Sequence, residues 1–296
     1  MNKITLNTTL LDKESYKNSK SERRYYITND VRIIAYDITK PAFDAISIHK
    51  YDATSAKLLS ESMLSALMIS ESLKNPNDYI NWRLECSGPI GGINVECRKN
   101  GQLRGFIVNY PIDTKNFVIR TFSDLFQAGF ITVEKYIEGE KEAQKSSVMI
   151  ERGLIPYETA LFFKESEQIN SNVGMWVNLK NDKFCSVTGL LIQALPNAKI
   201  ENLEKIENIV INLNENFNKK IGNIDNLIEF CFKDFKPKFL EKGNIEFFCP
   251  CSKEHYVDII RNLNITNDVF KDDDFLKIKC SMCSSEYKIS KNEIIK

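Results

Sequence analysis

The sequence predicts an α+β protein: an N-terminal core domain of mixed sheet and helix, then a helical linker, then a small C-terminal unit rich in paired cysteines. Three observations predict it. Strand-like and helix-like segments arrive in blocks, not in the βαβα alternation of a doubly wound sheet. The stretch from 200 to 235 carries one apolar stripe per helix and cannot form a core alone. Four of the eight cysteines fall in the last part of the chain, in two close pairs. On this reading residues 1–25 are an N-terminal arm, 26–196 the α+β core domain, 197–240 the linker and 241–296 the C-terminal unit.

The amino terminus, MNKITLNTTLLDKESYKNSKSERRYY, is polar and suggests a loosely held arm; it has no apolar run of signal-peptide length, so nothing in it marks secretion. Val31 to Tyr36 reads as a strand, and Pro41 opens a helical stretch through Ile48. A longer helix is expected from Asp52, its cap, to Lys74, where Asn75-Pro76 stops it. Leu59, Met63, Ala66, Leu67 and Leu73 fall at helical spacing among small Ser and Ala residues, which predicts a closely packed core helix. Lys57, Glu61 and Glu71 interrupt it, so it lacks the roughly 18 consecutive apolar residues of a membrane span.

From Asn81 the period changes to two. Strands are expected at Trp82–Cys86 and Ile93–Cys97, joined by the glycine-rich turn Ser87–Gly92, and at Leu103–Val108 after Asn100-Gly101. Further strands are expected at Phe130–Ile137, Ser146–Ile150, Val173–Lys180 and Phe184–Gln193, with a helix at Pro156–Gln168 between them. In the linker, Ile200, Leu203, Ile206, Ile209, Val210 and Leu213 form one stripe. Leu227, Ile228 and Phe232 form a second after a break at Gly222. Such a segment must lean on the domain before it.

Composition bounds the function. With 296 residues, 43% hydrophobic and 27% charged, the chain can bury a sizeable core and fill about two domains. Lys and Arg number 40 against 40 Asp and Glu, a balance unsuited to a phosphate-binding partner, so no nucleic acid is expected. The signatures of ATP, dinucleotide and zinc-protease sites, G-x-x-x-x-G-K-[ST], G-x-G-x-x-G and H-E-x-x-H, are absent from the sequence. His49 ends a helix and His255 could serve only as a replacement metal ligand, so neither offers a usable partner for a Cys-His or Ser-His-acid nucleophile. A non-enzymatic protein of the reducing cytoplasm is the expectation.

In that compartment cysteines serve metal or redox chemistry more often than disulfide stapling. Cys249-Pro250-Cys251 and Cys280-Ser281-Met282-Cys283, with 28 residues between them, offer four thiolates on one small unit, the donor set of a closed zinc site. C-x-x-C is the ordinary knuckle spacing, and i,i+2 residues of an extended C-x-C share a face. His255 stands at Cys251-x-x-x-His spacing, but four thiolates already complete the set. Cys86, Cys97, Cys185 and Cys231 lack mutual metal spacing and read as small core residues.

A unit of this size is marginal without a staple, and structural zinc supplies roughly 10–16 kcal/mol of apparent folding energy. Zinc keeps all four sulfurs as thiolates, the form that oxidants attack, so oxidation would expel the metal and unfold the unit. A redox switch is therefore physically available, as is the alternative of a constitutive zinc-stabilised protein-binding module whose metal never leaves. A nucleic-acid knuckle is disfavoured, because residues 241–296 carry nine Lys and Arg against ten Asp and Glu before the thiolates are counted.

The tail resembles the zinc switch of the redox-regulated thirty-three-kilodalton bacterial heat-shock chaperone family. The resemblance rests on C-x-C, 28 residues and C-x-x-C, preceded by Glu246-Phe247-Phe248 and followed by Glu286-Tyr287. Ser87-Gly88-Pro89 with Leu103-Arg104-Gly105 is similar to that family's central sheet, and Gly189-Leu190-Leu191-Ile192-Gln193-Ala194-Leu195-Pro196 to the end of its core domain. The resemblance implies an ATP-independent holdase, inactive when reduced and loaded with one zinc ion on Cys249, Cys251, Cys280 and Cys283. It implies that oxidation forms the disulfides Cys249–Cys251 and Cys280–Cys283, releases zinc, unfolds this zinc-binding redox-switch domain with the linker, and yields a homodimer that binds unfolded or oxidatively damaged client proteins. The knuckle carries Ser284-Ser285 where Gly or Asn would more easily take the positive φ of the turn.

Overall fold

Period-two runs become the strands of two large sheets, and helical-period runs become the helices between and behind them. The computed structural model describes residues 13–180, 183–196, 198–220, 224–263, 270 and 274–294. In chain order, α1 (Lys13–Asn18) leads into β1 (Glu22–Ile27), β2 (Val31–Asp37), α2 (Thr39–His49) and α3 (Ala53–Ile69). Five strands follow: β3 (Tyr79–Cys86), β4 (Gly92–Arg98), β5 (Gln102–Ile107), β6 (Gly129–Tyr136) and β7 (Gln144–Met149). Then come α4 (Ile155–Glu165), β8 (Ser171–Lys180), β9 (Lys183–Ala194), α5 (Ile200–Lys220), α6 (Ile224–Phe232), β10 (Lys238–Asn244) and β11 (Glu246–Phe247). These make one compact unit, residues 1–247; the second, 248–296, holds α7 (Lys253–Asn262), β12 (Phe275–Lys279), β13 (Glu286–Ser290) and α8 (Lys291–Ile294). The class is α+β.

The first unit contains a five-stranded sheet, ordered β10-β1-β2-β9-β8, and a six-stranded sheet, ordered β11-β5-β4-β3-β6-β7. Helix α3 touches both. It approaches them closely because glycines stand where it crosses: a Cβ on Gly189 of β9 would meet Leu64 Cδ2 at 2.7 Å, and one on Gly105 of β5 would meet Leu59 Cδ1 at 3.3 Å. Two of its buried serines, Ser60 and Ser62, donate to the carbonyls of Ala56 and Leu58 one turn back. Asp52 caps the helix, accepting from the Ser55 N–H at 2.8 Å, while the α-helix ends at Ile69 and a 3₁₀ turn, Ser70–Ser72, follows it, two residues short of the expected end at Lys74.

β2 is apolar almost throughout because both its faces are covered. Ile34 and Tyr36 enter the central core with α2 and α3, whereas Val31, Ile33 and Ala35 face the other way. That second face, with Tyr26, Trp176, Leu190 and Ile192, is covered by Ile206, Val210 and Leu213 of α5 and Leu227, Ile228 and Phe232 of α6. The linker therefore leans on the core domain through most of the stripe residues read from the sequence; Ile200, at the start of α5, is exposed instead, and Gly222 lies outside the described residues. Polar groups fasten it. Asp30, in the β1–β2 turn, accepts from the Lys199 N–H and the Asn202 amide, each at 2.8 Å, and Asp225 pairs with Lys20 at 2.8 Å and with Arg24.

The structure places two segments differently from the expected division. Residues 13–25 do not trail as an arm: the Tyr16 ring stacks on Phe43 at 5.9 Å, its hydroxyl donates to Asp44 at 2.9 Å, and β1 lies between β2 and β10. Residues 1–12 of the expected arm lie outside the described residues. Charge-rich β1 is tolerated inside because Arg23 and Glu71 pair at 3.0 Å with both side chains buried, Lys99 joins at 3.2 Å, and the Tyr25 hydroxyl donates to the same carboxylate at 3.0 Å. The boundary expected at 240/241 falls within β10, which pairs with β1 along its length, so the first compact unit runs on to Phe247.

Candidate metal centre

Two short devices bring the four tail cysteines together. Cys249 and Cys251 lie in the extended segment before α7, whose N-cap Ser252 accepts from the His255 N–H at 3.1 Å. Cys280 directly follows β12 and Cys283 sits in the turn that leads to β13. The turn is a knuckle: the Ser284 N–H donates to the Cys280 carbonyl at 2.8 Å, and the Cys280 N–H to the Ser285 carbonyl at 2.9 Å. Ser284 takes the left-handed conformation this requires, with φ 56°. The turn thus forms without glycine, at some backbone strain.

The sulfurs converge. The four Sγ atoms lie within 4.8 Å of one another and could hold a metal ion. Across the pairs, Cys249 lies 3.8 Å from Cys280 and Cys251 lies 3.3 Å from Cys283. Thiolates bound at about 2.3 Å around a tetrahedral zinc stand about 3.8 Å apart, so the donor set and its spacing fit zinc. The hydrogen bond with Cys249, followed by that of the Tyr256 hydroxyl, holds the Cys280 thiol well below its usual range, whereas burial pushes Cys251 up. His255 contributes no ligand atom to the cluster; its ring lies beside that of Tyr256 at 5.9 Å.

Hydroxyl groups surround the sulfurs. Tyr287 of β13 has its hydroxyl 3.2 Å from Cys251 Sγ, Tyr256 of α7 bonds Cys280, and Ser285 stands 3.2 Å from Cys283 Sγ. The sequence alone assigns these hydroxyls no contact with the sulfurs, although Tyr287 and Ile289 alternate on β13 and the burial of Ile289 turns that face inward. The unit around them has a small core: its buried apolar side chains, among the described residues, are Val257, Ile260, Phe270, Ile289 and Ile294, with Cys280 beside the metal position.

Three of the other four cysteines, Cys86, Cys97 and Cys231, are packing residues. Cys97 is buried in the central core and Cys231 among the linker helices, where burial pushes their thiols up to about 12 and about 11. Cys86 packs half-buried against the central core and its thiol too is raised by burial. Cys185, also half-buried, donates to the Lys183 carbonyl at 3.3 Å. Raised thiols are poor thiolate nucleophiles. Among the described residues no helix is long and apolar enough to cross a membrane.

Comparison with known proteins agrees with this arrangement. Two curated relatives, each called 33 kDa chaperonin, come from Bacillus cereus (strain B4264) and Bacillus anthracis (strain A0248); each is 27% identical over 281 residues, covering 90% of this chain and 93% of the relative. The crystal structure of the 33 kDa chaperonin (heat shock protein 33 homolog) from Thermotoga maritima superposes with a TM-score of 0.79 at 20% identity, covering 93% of this chain and 97% of the other, and so shares the fold. The family model described as Hsp33 protein matches residues 23–290, and this chain belongs to the Hsp33 chaperone family.

Proposed function

We propose that this chain is a redox-regulated, ATP-independent holdase of the cytoplasm. Reduced, it holds one zinc ion on Cys249, Cys251, Cys280 and Cys283 and is inactive. Oxidised, it forms the disulfides Cys249–Cys251 and Cys280–Cys283, releases zinc, and as a homodimer protects unfolded or oxidatively damaged client proteins from aggregation. The observation that carries this reading is the placement of four converging sulfurs in a unit with so small an apolar core. Structural zinc supplies roughly 10–16 kcal/mol of apparent folding energy to such modules, so removing it melts the unit. The disulfide pairing, the dimer and the client class rest on the family resemblance.

Chain connectivity supports a route from metal loss to client binding. Only Phe248 stands between β11 and Cys249, and the linker helices lie a few residues before β10. Melting that spreads back along the chain frees an amphipathic segment and uncovers the sheet face of Val31, Ile33, Ala35 and Trp176. Both are apolar surfaces of the kind that binds unfolding proteins.

The test is light scattering from an aggregating client at raised temperature. Protection is expected from the peroxide-treated, zinc-free form and not from the reduced, zinc-loaded form. Equal protection by both, with zinc retained after peroxide, would instead describe a constitutive zinc-stabilised binding module.

A further inference from the structure

Two tyrosine hydroxyls back the sulfur cluster, and zinc ligation by itself assigns them no task. Tyr287 pairs with Ile278 across the β12–β13 hairpin, and its hydroxyl lies 3.2 Å from Cys251 Sγ and 3.0 Å from the Cys251 carbonyl. Tyr256, on α7, bonds Cys280, and the two tyrosine rings pack against each other with centroids 5.4 Å apart. Each pair of cysteines thus has one sulfur in contact with a tyrosine hydroxyl: Cys251 in C-x-C and Cys280 in C-x-x-C.

The chemistry of the contact is directional. A thiolate only accepts hydrogen bonds, and a tyrosine hydroxyl has one proton to give. Once the sulfurs are thiolates, the Tyr256 hydroxyl is a donor toward Cys280, and the single Tyr287 proton is shared between the Cys251 thiolate and the Cys251 carbonyl. Such a bond fixes the direction of the ligand and withdraws charge from sulfur, and outer contacts of this kind typically change metal affinity about 10–100-fold when removed. Reaction with peroxide draws on the same charge. A thiolate attacks one peroxide oxygen, the O–O bond breaks, hydroxide leaves and a sulfenic acid remains; a second thiolate then attacks that sulfur and expels a second hydroxide as the S–S bond forms. Two electrons pass from the sulfurs to one peroxide.

We propose that Tyr256 and Tyr287 are positioning residues that restrain this oxidation, so that their hydroxyls set how much peroxide the centre withstands before it loses its metal. The inference rests on the four sulfurs being a zinc centre. Tyr287→Phe and Tyr256→Phe keep the rings and their packing and remove only the hydroxyls.

The experiment uses the full-length chain and both variants, singly and together. It measures zinc per chain, the rate of zinc release to a chromophoric chelator under peroxide, and the thiolate-to-metal charge-transfer band after cobalt(II) replacement. The expected result is one zinc per chain throughout, faster release in each single variant, and release roughly tenfold faster in the double variant. The cobalt band should also move to lower energy, because sulfur that has lost a hydrogen-bond donor gives up charge more readily. A purely structural contribution from the rings would leave that band in place. Full zinc occupancy with unchanged release rates and an unchanged band overturns the tyrosine inference alone. A wild-type chain that binds no zinc overturns the centre and this inference with it.

Discussion

The core between the two large sheets and the C-terminal unit are stabilised by different means. In the first, Trp82, Phe43, Phe162, Leu59 and Leu64 are fully or almost fully enclosed, and α3 is buried along nearly its whole length. In the second, among the described residues, five apolar side chains outside the cysteine cluster are buried. A buried Leu or Phe contributes about 1.5–3 kcal/mol, against about 1–2 kcal/mol of backbone entropy for every residue ordered. Apolar burial can hold the first unit; the second needs its sulfurs tied together. One chain therefore contains a region whose stability a chemical event can remove while the other region stands. The linker lies between these extremes, since its stripes are buried but only against one face of one sheet.

Metal removal should separate the two regions most sharply. Chelation under reducing conditions, or Cys280→Ser, should cost the C-terminal unit an amount on the order of the 10–16 kcal/mol that structural zinc supplies. Hydrogen exchange should then show protection lost over residues 248–296 and kept in α3. Loss of protection in α3 as well would mean that the regions are not independent.

Truncation inside the central core should do the reverse. Leu64→Ala removes a fully buried side chain packed beside Gly189 and should lower the denaturant stability of the first unit by about 2–5 kcal/mol, with zinc content unchanged. Leu227→Ala, equally buried but in α6, should loosen the linker by a comparable amount locally. The region of faster exchange should be α5 and α6, and the reduced protein should gain anti-aggregation activity without oxidant.

Acid should act more weakly on the linker's fastening. Hydrogen bonds from the Lys199 N–H and Asn202 hold Asp30 below the usual carboxylate range, and the bond from Lys20, with that from Arg24, does the same for Asp225. A carboxylate with a depressed folded-state pKa contributes stability that is present above the ordinary value and is lost as pH falls through the depressed one. Linker protection should therefore be level from neutral pH down to about 4 and fall below it. Asp225 is half exposed and its pairs are worth about 0–1 kcal/mol, so Asp225→Asn should be the mildest change of all, read as a slight rise in exchange at the start of α6.

These regions also differ in how far the sequence discloses them. β3, β4 and β5 alternate because one face meets the core and the other meets solvent, so period two was visible in Trp82, Leu84, Ile93 and Val95. The linker stripes were visible for the same reason at helical period. β1 was not: Glu22 and Arg23 are buried, and what makes Arg23 tolerable is Glu71, 48 residues beyond it, while Glu22 is paired by Arg24 and by Lys242 of β10, from the far end of the unit. Helix α7 escaped because Val257 and Ile260 are its buried positions, too few to make a pattern. In the candidate centre, thiol spacing is local and was legible to the residue. The tyrosine hydroxyls are not, since a contact between β13 and Cys251 spans 36 residues and depends on the fold already formed.

The chain's two tryptophans report on the two sides of this division: Trp82 is in the central core, and Trp176 is in the face covered by the linker. The most direct measurement is the emission of the Trp82→Phe and Trp176→Phe proteins, each with one tryptophan left, before and after peroxide with zinc release followed in parallel. The account predicts that Trp176 emission moves to the red as zinc leaves while Trp82 emission stays in place. Zinc release with no change at Trp176, or equal shifts at both, would contradict it.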